Sequence, residues 1–207
     1  RTAAGEGVFV AGAMGPIGSP NPPEGKIEED RAIEVFREQA EALIEPGSID
    51  VLMLETFSSL SELRLAVQAV RLATTIPVVA QITTDTAGCT DDGATPEVVV
   101  KSLVDEGSDV IGVNCGDGPP AMLVVAEQFC AVSTVPFAAQ PNAGHPRQVD
   151  GRTLYLSSPE FIASYARRFA NLGVRLIGGC CGTTPDHTRS IRRVIKRVSC
   201  EATAEKL

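Results

Sequence analysis

Short apolar runs alternate along the chain with longer segments whose apolar residues recur at helical spacing. Residues 51–54 are one such run, and Ser59, with Glu62 three residues later, opens the segment that follows it. This Ser-x-x-Glu pattern is typical of a helix N-terminus, because each side chain satisfies a free backbone amide near the other. The same order recurs six times, which predicts six strand–helix units and a parallel sheet.

The six units can be placed along the chain from their apolar runs and their helix start and stop signals. Strands are predicted over residues 8–11, 51–54, 78–82, 110–113, 137–140 and 175–177. Helices are predicted over 27–44, 60–72, from 96 onward, over 119–132, 159–172 and 185–198. Long loops are expected over 12–25, 83–94 and 141–156, and a polar tail over 199–207.

Two architectures have this alternation, an open doubly wound sheet and a (β/α)8 barrel. The open sheet usually carries a Gly-rich phosphate loop after its first strand. Residues 12–16 lack the GxGxxG spacing, and Pro16 has no backbone amide to offer a phosphate. We therefore expect an α/β fold of the (β/α)8 TIM barrel type, truncated at the N-terminus so that about six units remain. Residues 1–198 would form the barrel and 199–207 an exit linker or tail.

Composition narrows the classes of function. The chain has 207 residues and a net charge of -8, and no basic cluster is dense enough to bind nucleic acid. No apolar run approaches the roughly 20 residues of a membrane span, and no signal peptide is recognisable. Six cysteines in a long, core-rich chain without an export signal favour reduced thiols in the cytoplasm.

The chemistry is expected at the carboxyl ends of the strands, where α/β folds bind their ligands. The candidates there are polar, glycine and cysteine residues: Gly12, Glu55, Gln81, Thr83, Asn114, Cys115, Gln140, Asn142, Cys180 and Cys181. Polar residues at strand ends are common, whereas three cysteines at two strand ends are not. A barrel would bring Cys115 and the Cys180-Cys181 pair to one rim.

Three thiolates with an open fourth position are the pattern of a catalytic zinc site. A tetrahedral site of this kind requires the sulfurs to lie about 3.5–4 Å apart. Two other interpretations stay open, namely small packing residues in crowded turns and a Cys–His nucleophile pair. The histidines are His145, in a loop near the rim, and His187, which its place in the first helical turn predicts to be exposed.

The cysteine motifs resemble those of the homocysteine S-methyltransferase family. The run Gly178-Gly179-Cys180-Cys181-Gly182-Thr183-Thr184-Pro185 looks like the family hallmark, and Val113-Asn114-Cys115-Gly116 is similar to its upstream cysteine motif. Segments 11–16, 54–57 and 140–144 also match family motifs in the expected order. The resemblance covers nearly the whole chain. The family's Asp-Gly-Gly motif lies on a strand that we expect to be missing before Arg1.

The resemblance implies a zinc-dependent barrel enzyme that methylates homocysteine to methionine. It implies that Cys115, Cys180 and Cys181 bind zinc and act in catalysis through it. It also implies that Glu55 holds the amino group of the substrate. Asn142 matches an asparagine on the substrate side that approaches the zinc when no thiol substrate is bound.

The resemblance leaves the methyl donor open among a methylfolate (through a corrinoid), S-methylmethionine, S-adenosylmethionine and betaine. Residues 149–152 and the polar tail most resemble the bacterial type in which a methylenetetrahydrofolate reductase domain follows. No nucleic acid or membrane partner is expected. The alternative function is a non-catalytic zinc- or thiol-binding module, a sensor or a decayed paralogue, on the same barrel. A zinc hydrolase is disfavoured, because such an enzyme would need His and Asp ligands at the rim.

Overall fold

The computed structural model describes residues 7–18, 28–45 and 47–204. Its strands are β1 (Ala11–Met14), β2 (Val51–Phe57), β3 (Val78–Ile82), β4 (Val110–Cys115), β5 (Phe137–Pro141), β6 (Arg147–Val149), β7 (Arg152–Leu154) and β8 (Leu176–Ile177). Its helices are α1 (Glu29–Ile44), α2 (Leu60–Ala73), α3 (Pro96–Asp105), α4 (Pro119–Val132), α5 (Pro159–Leu172) and α6 (Pro185–Ala204).

Six strands form one parallel sheet in the order β1-β2-β3-β4-β5-β8. Each strand therefore lies beside the strand of the preceding unit, and the order never reverses. A doubly wound sheet requires such a reversal, whereas a (β/α) barrel adds its strands in one direction. The predicted α/β architecture with six barrel-type units is confirmed, and the C-terminal ends of all six strands meet at one edge.

Side chains along each strand alternate between two faces of the sheet. One face packs beneath the helices, and a row of buried, mutually paired residues shows it: Leu54, Ala80, Ile111 and Phe137. These residues belong to the main hydrophobic core, which also contains Phe36 from α1 and Leu63 from α2. The core therefore lies between the sheet and its helices. Because side chains alternate along a strand, the residues between the core positions point to the opposite face of the sheet, which we call the inner face.

Local signals place the helix starts correctly. Ser59 accepts a hydrogen bond from the Glu62 amide, and Ser158 accepts one from the Phe161 amide. Gly173, with φ of 99°, ends α5 in the left-handed conformation that glycine adopts readily. These predictions succeed because a cap involves residues only three or four positions apart.

The first strand lies later in the chain than the sequence predicts. The sequence predicts it at residues 8–11, but β1 covers Ala11–Met14. Pairing decides the position, because Ala11 to Met14 align with Val51 to Leu54 of β2. Phe9 is 85% exposed and Met14 only 1%. The loop predicted over 12–25 thus begins inside this strand, and residues 19–25 of it lie outside the described part of the chain.

Three other strands are longer than predicted. β2, β4 and β5 continue through Phe57, Cys115 and Pro141, whereas the predictions end at residues 54, 113 and 140. The added residues are mostly polar or cysteine, so apolar pattern does not reveal them. Backbone pairing with the neighbouring strand extends each of these strands regardless of side-chain polarity. The added residues include site candidates, so strand pairing helps to position them.

The loop predicted over 141–156 contains a short antiparallel hairpin of β6 and β7. Asp150 and Gly151 form its turn, with φ of 49° and 72°. Positive φ at both central residues is typical of a type I′ turn, for which Asp-Gly is a preferred sequence. The Asp-Gly pair was therefore an available signal, although the flanking strands lack a strong apolar alternation.

The last helix continues to Ala204, beyond the end predicted at residue 198. Part of the tail predicted over 199–207 is thus helical, and residues 205–207 lie outside the described part. The division into a barrel at 1–198 and a linker or tail remains a prediction. Among the described helices, none combines the length and apolar character needed to cross a bilayer.

Asp92 fastens the loop after β3 to the N-terminus of α2. Its carboxylate accepts hydrogen bonds at 3.0 Å from the amides of Leu60 and Ser61 and from the Ser59 hydroxyl. Burial raises the pKa of Asp92, but these bonds and one from Thr90 outweigh burial and hold it well below the usual range. The ionised carboxylate therefore stabilises the start of α2 and the long loop together.

We expect Asp92→Ala to lower the free energy of unfolding by about 1–2 kcal/mol, the usual contribution of a helix cap. Because the folded-state pKa is lowered, the contribution is present above the unfolded-state value of about 4 and is lost as pH falls below it. Urea unfolding at pH 7 and pH 3 measures both effects. Asp91→Ala, at the neighbouring exposed position, is the control. An Asp92→Ala effect equal to the control would contradict the clamp.

Candidate metal centre

Three cysteine sulfurs meet at the C-terminal edge of the sheet. Sγ of Cys115 lies 3.3 Å from Sγ of Cys180 and 3.9 Å from Sγ of Cys181. The sulfurs of Cys180 and Cys181 are 4.0 Å apart. Four sulfurs that surround zinc at about 2.3 Å lie about 3.8 Å from one another. The type and spacing of these donors fit a zinc ion, and two of the three separations lie in the expected range, whereas Cys115 and Cys180 are slightly closer together.

One side of this three-cysteine cluster faces solvent. Cys115 and Cys180 are partly buried, whereas Cys181 is exposed. Within the described residues, the cluster of potential metal-ligating side chains consists of these three cysteines. A fourth coordination position on the exposed side can thus be filled from solution, which is the arrangement of catalytic rather than structural zinc.

The backbone at the end of β4 turns sharply to present Cys115. Its φ is 65°, a left-handed conformation that is uncommon for a residue with a side chain. Gly116 follows with φ of 68°, so two successive residues are left-handed. Backbone conformations of this kind cost energy and occur often at functional sites. The turn carries the chain away while the sulfur stays at the edge of the sheet.

The Cys180-Cys181 loop is fastened to the end of β5. The amide of Cys180 donates to the carbonyl of Pro141 at 2.9 Å, and the amide of Ala143 donates to the carbonyl of Cys181 at 2.8 Å. Thr183 closes the loop, since its amide and its hydroxyl both donate to the carbonyl of Cys180. The two adjacent sulfurs therefore have a fixed backbone beneath them.

Asn142 joins the two loops that carry the cysteines. Its Nδ2 donates to the carbonyl of Gly116 at 2.7 Å, and its Oδ1 accepts from the amide of Cys181 at 3.0 Å. The residue is only 5% exposed. Both polar ends of this amide are thus used to hold the loop after β4 against the loop after β8.

Glycine is required at two positions in the double-cysteine loop. A Cβ on Gly179 would overlap the Cγ2 of Thr183. Gly182 has φ of 77°, and a Cβ there would overlap the side chain of Tyr155. Tyr155 follows the hairpin strand β7, and sequence analysis did not single it out. No sequence signal links Tyr155 to Gly182, because the contact forms only when the hairpin folds over the loop.

The two partly buried thiols share a proton. The hydrogen bond between Cys115 and Cys180 lowers the pKa of Cys180 and raises the pKa of Cys115, because the proton stays on Cys115. Burial adds to the raised pKa of Cys115. For Cys180 burial acts in the opposite direction, but the bond with Cys115 and smaller hydrogen bonds outweigh it, so the pKa of Cys180 stays lowered. Cys180 is therefore the member of this pair that most readily becomes a thiolate.

Glu55 lies near the cluster on the inner face of β2. Burial raises its pKa, and the negative charge of Cys180 raises it further. The strand is irregular here, since Leu54 pairs with Ala80 but Phe57 pairs with Ile82, which leaves one extra residue in β2. Such a bulge changes the direction in which neighbouring side chains point, and bulges are frequent beside active sites.

The histidines do not form a nucleophile pair with the cysteines. His187, predicted to be exposed, is only 6% exposed, which makes that prediction wrong. Its ring is 2.9 Å from the Thr184 hydroxyl and 3.0 Å from the Ser157 carbonyl. The start of α6 packs against the segment before α5, so a position in a first helical turn does not imply solvent exposure. His145 lies at the rim and pairs with Asp117 at 3.0 Å.

Three further residues are wholly or partly buried, two of them at the inner face or the cysteine cluster and one against the main core. Gln81 is fully buried on the inner face, and neither of its side-chain polar atoms has a protein partner within the described residues. Asn114, a strand-end and motif residue to which the sequence assigned no role of its own, is 2% exposed and contacts Cys180. Cys130, within α4, is partly buried and packs against the main core, where burial raises its pKa.

The chain is similar in sequence to two methionine synthases. The chain is 32% identical over 195 residues to methionine synthase of Mycobacterium leprae and 32% identical over 196 residues to that of Mycobacterium tuberculosis. The alignments cover 91% and 92% of this chain and 16% of each relative. The chain thus spans about a sixth of the length of the curated relatives it matches.

Solved structures show the same fold. The apo form of the homocysteine methyltransferase MmuM from Escherichia coli superposes with a TM-score of 0.71 at 22% identity, covering 90% of this chain and 62% of that one. The metallated form of the same protein gives 0.70 at 23% identity, covering 90% and 61%.

The sequence profile described as homocysteine S-methyltransferase matches residues 1–195, nearly the whole chain. The match includes the end of β4 with Cys115, the end of β5 with Asn142 and the loop with Cys180 and Cys181. Over these residues the chain is a homocysteine S-methyltransferase domain and belongs to the homocysteine S-methyltransferase family.

Proposed function

We propose that this chain transfers a methyl group to the thiol of homocysteine, forming methionine, with zinc held by Cys115, Cys180 and Cys181. The observation that carries the proposal is the convergence of these three sulfurs, at 3.3–4.0 Å, on the carboxyl edge of the sheet. Barrel enzymes carry their active sites at this edge. Membership of the family and a related structure in a metallated form support a metal at this position.

The chemistry requires a thiolate. A free thiol has a pKa of about 8.5, so at neutral pH most homocysteine is protonated and weakly nucleophilic. When bound, zinc supplies a Lewis acid that favours the thiolate over the thiol. The three cysteine thiolates carry more negative charge than a divalent cation carries positive charge. The substrate sulfur therefore keeps much of its electron density for attack on the methyl donor.

Glu55 is proposed to bind the ammonium group of homocysteine. Its carboxylate is partly buried on the inner face, and its raised pKa arises in part from the nearby charge of Cys180. An ammonium group in this position would offset both the burial and the negative charge around Glu55. This placement holds the amino-acid end of the substrate while its sulfur reaches the three-cysteine cluster.

Asn142 is proposed to lie on the substrate side of the site, where it approaches the metal when no thiol substrate is bound. Its hydrogen bonds to Gly116 and Cys181 place its amide between the two cysteine loops. That position supports a role next to the incoming thiol. It also makes Asn142 part of the support that keeps the cysteines at metal-binding separations.

The proposed mechanism assigns no proton transfer to a histidine. Both ring nitrogens of His187 are engaged by Thr184 and Ser157. His145 is paired with Asp117 on the surface of the rim. Loss of the substrate proton would instead accompany binding of the substrate sulfur to the metal, as is usual where thiols bind metal.

The proposed partners are homocysteine and one methyl donor. The donor is a methylfolate (through a corrinoid), S-methylmethionine, S-adenosylmethionine or betaine. A methylenetetrahydrofolate reductase domain that follows this one in the same polypeptide is part of the proposal, as is location in the cytoplasm, where thiols stay reduced.

The proposal is tested by loading the chain with one equivalent of zinc and measuring the sulfur shell of the metal by X-ray absorption. We expect three sulfurs at about 2.3 Å from the metal, and four after homocysteine is added. Incubation with homocysteine and each donor class in turn, followed by mass spectrometry for methionine, tests the reaction. Zinc binding without methionine from any donor would favour the non-catalytic module. Failure to retain zinc would exclude the zinc-dependent transfer and a zinc-binding module, and would leave a thiol-binding module.

A further inference from the structure

The side chain of Asn114 connects the two ends of the candidate site. Its Oδ1 accepts from the amide of Thr56 at 2.9 Å, and its Nδ2 donates to the Thr56 hydroxyl at 2.8 Å. The same Nδ2 lies 3.9 Å from Sγ of Cys180, within reach of a hydrogen bond to sulfur. One buried amide thus contacts both the strand that carries Glu55 and the cysteine cluster.

Thr56 has a backbone conformation that needs support. It is the residue after Glu55 in the β2 bulge, and its φ is 67°. A left-handed conformation is unfavourable for a β-branched residue and persists only where surrounding contacts impose it. The two hydrogen bonds from Asn114 are such contacts. They hold the bulge, and the bulge sets the direction of the neighbouring Glu55 side chain.

Asn114 is suited to fix a distance. It has a short side chain with only two rotatable bonds, and it is 2% exposed. Its own backbone is anchored, because its carbonyl accepts from the Thr83 hydroxyl at 3.2 Å. Glu55 directly precedes Thr56 in β2. The contacts from Thr56 through Asn114 to Cys180 therefore connect the strand segment that carries Glu55 to the cysteine cluster.

We propose that Asn114 is a positioning residue that sets the spacing between the Glu55 carboxylate and the three-cysteine cluster, and thereby selects an amino-acid thiol. This inference rests on the proposed function. A ligand held at both its sulfur and its ammonium group gains the second contact only when the two sites are correctly spaced. A thiol without the ammonium group uses the sulfur site alone and is indifferent to the spacing.

The experiment compares two thiols by calorimetric titration of the zinc-loaded chain. L-Homocysteine has both contacts, and 4-mercaptobutanoate is the same molecule without the ammonium group. For Asn114→Ala we expect homocysteine affinity to fall about 10- to 100-fold, because a misplaced Glu55 loses its charge-assisted contact with the ammonium group. The affinity for 4-mercaptobutanoate should stay nearly unchanged, because this thiol has no ammonium group and the three cysteines remain in place.

Thr56 provides a matched pair of variants on the other side of the bridge. Thr56→Val keeps the β-branched shape but removes the hydroxyl that Asn114 contacts, so homocysteine affinity should fall selectively. Thr56→Ser keeps the hydroxyl, so the preference for homocysteine should stay as in the unmodified chain. These variants decide the question if Asn114→Ala does not fold, because both leave Asn114 in place.

Equal losses for the two thiols, or an unchanged preference for homocysteine in both Asn114→Ala and Thr56→Val, would overturn the positioning role. In either case the unmodified chain would still prefer homocysteine, and the proposed function would stand. If the unmodified zinc-loaded chain binds both thiols equally or binds neither, the proposed function itself fails, and the inference fails with it. Zinc content measured for every variant separates loss of spacing from loss of the metal.

Discussion

Replacing Cys180 with alanine is expected to abolish tight zinc binding and methyl transfer. Cys180 would supply one of the three sulfur ligands, and its sulfur lies 3.3 Å from that of Cys115 and 4.0 Å from that of Cys181. Zinc sites of cysteine and histidine bind with about 10–16 kcal/mol shared among four ligands, or roughly 3 kcal/mol per ligand. At about 1.4 kcal/mol per tenfold change, one lost ligand lowers zinc affinity by roughly a hundredfold or more.

The measurement is zinc affinity by competition with a chromogenic chelator, together with methionine formation. Cys130→Ala is the matched control, because it removes a partly buried thiol that packs against the core and lies outside the cluster. Zinc affinity should be unchanged in that control, although burial of Cys130 predicts some loss of stability. Full activity and zinc content in Cys180→Ala would refute the three-cysteine site.

Replacing Glu55 with glutamine is expected to weaken homocysteine binding while leaving zinc in place. A hydrogen bond to a charged group contributes about 1.5–3 kcal/mol, so the affinity should fall by roughly 10- to 150-fold. The zinc ligands are untouched, and zinc content should stay the same. Glu127→Gln, at an exposed position on α4, is the control for the same chemical change.

The same substitution should make the fold more stable at neutral pH. The pKa of Glu55 is raised in the folded state by burial and by Cys180, so folding disfavours the ionised form. A group with a raised pKa contributes stability at low pH, and that contribution is lost as pH rises through its folded-state pKa. Glutamine carries no charge and avoids this loss. Stronger folding with weaker homocysteine binding would identify Glu55 as a residue kept for function.

The raised pKa also gives homocysteine binding a pH dependence. The ammonium group needs an ionised Glu55, and protonation begins at a higher pH than for an ordinary glutamate. Affinity should therefore fall on acidification at a higher pH than the usual glutamate range, and Glu55→Gln should lack this step. Calorimetry of both proteins across the pH range measures it, and identical profiles would contradict the assignment.

Local interactions determined the features that the sequence predicted well. The cap at Ser59, the proline at the first position of α3 and the end of α5 at Gly173 depend on neighbours a few residues away. The six-unit alternation follows from the same short-range patterns. The sequence also identified both cysteine motifs, since each is contiguous and has an unusual composition.

Contacts between distant residues decided the rest. β1 is placed by pairing with β2 some 40 residues later, and His187 is buried by the Ser157 segment 30 residues before it. The bridge of Asn114 joins Thr56 and Cys180, which lie 58 and 66 residues away. Sequence alone fixes which side chains are available and where helices begin. Only the folded parallel sheet brings its strand ends together, so sulfur separations, burial and the support of Glu55 are tertiary properties.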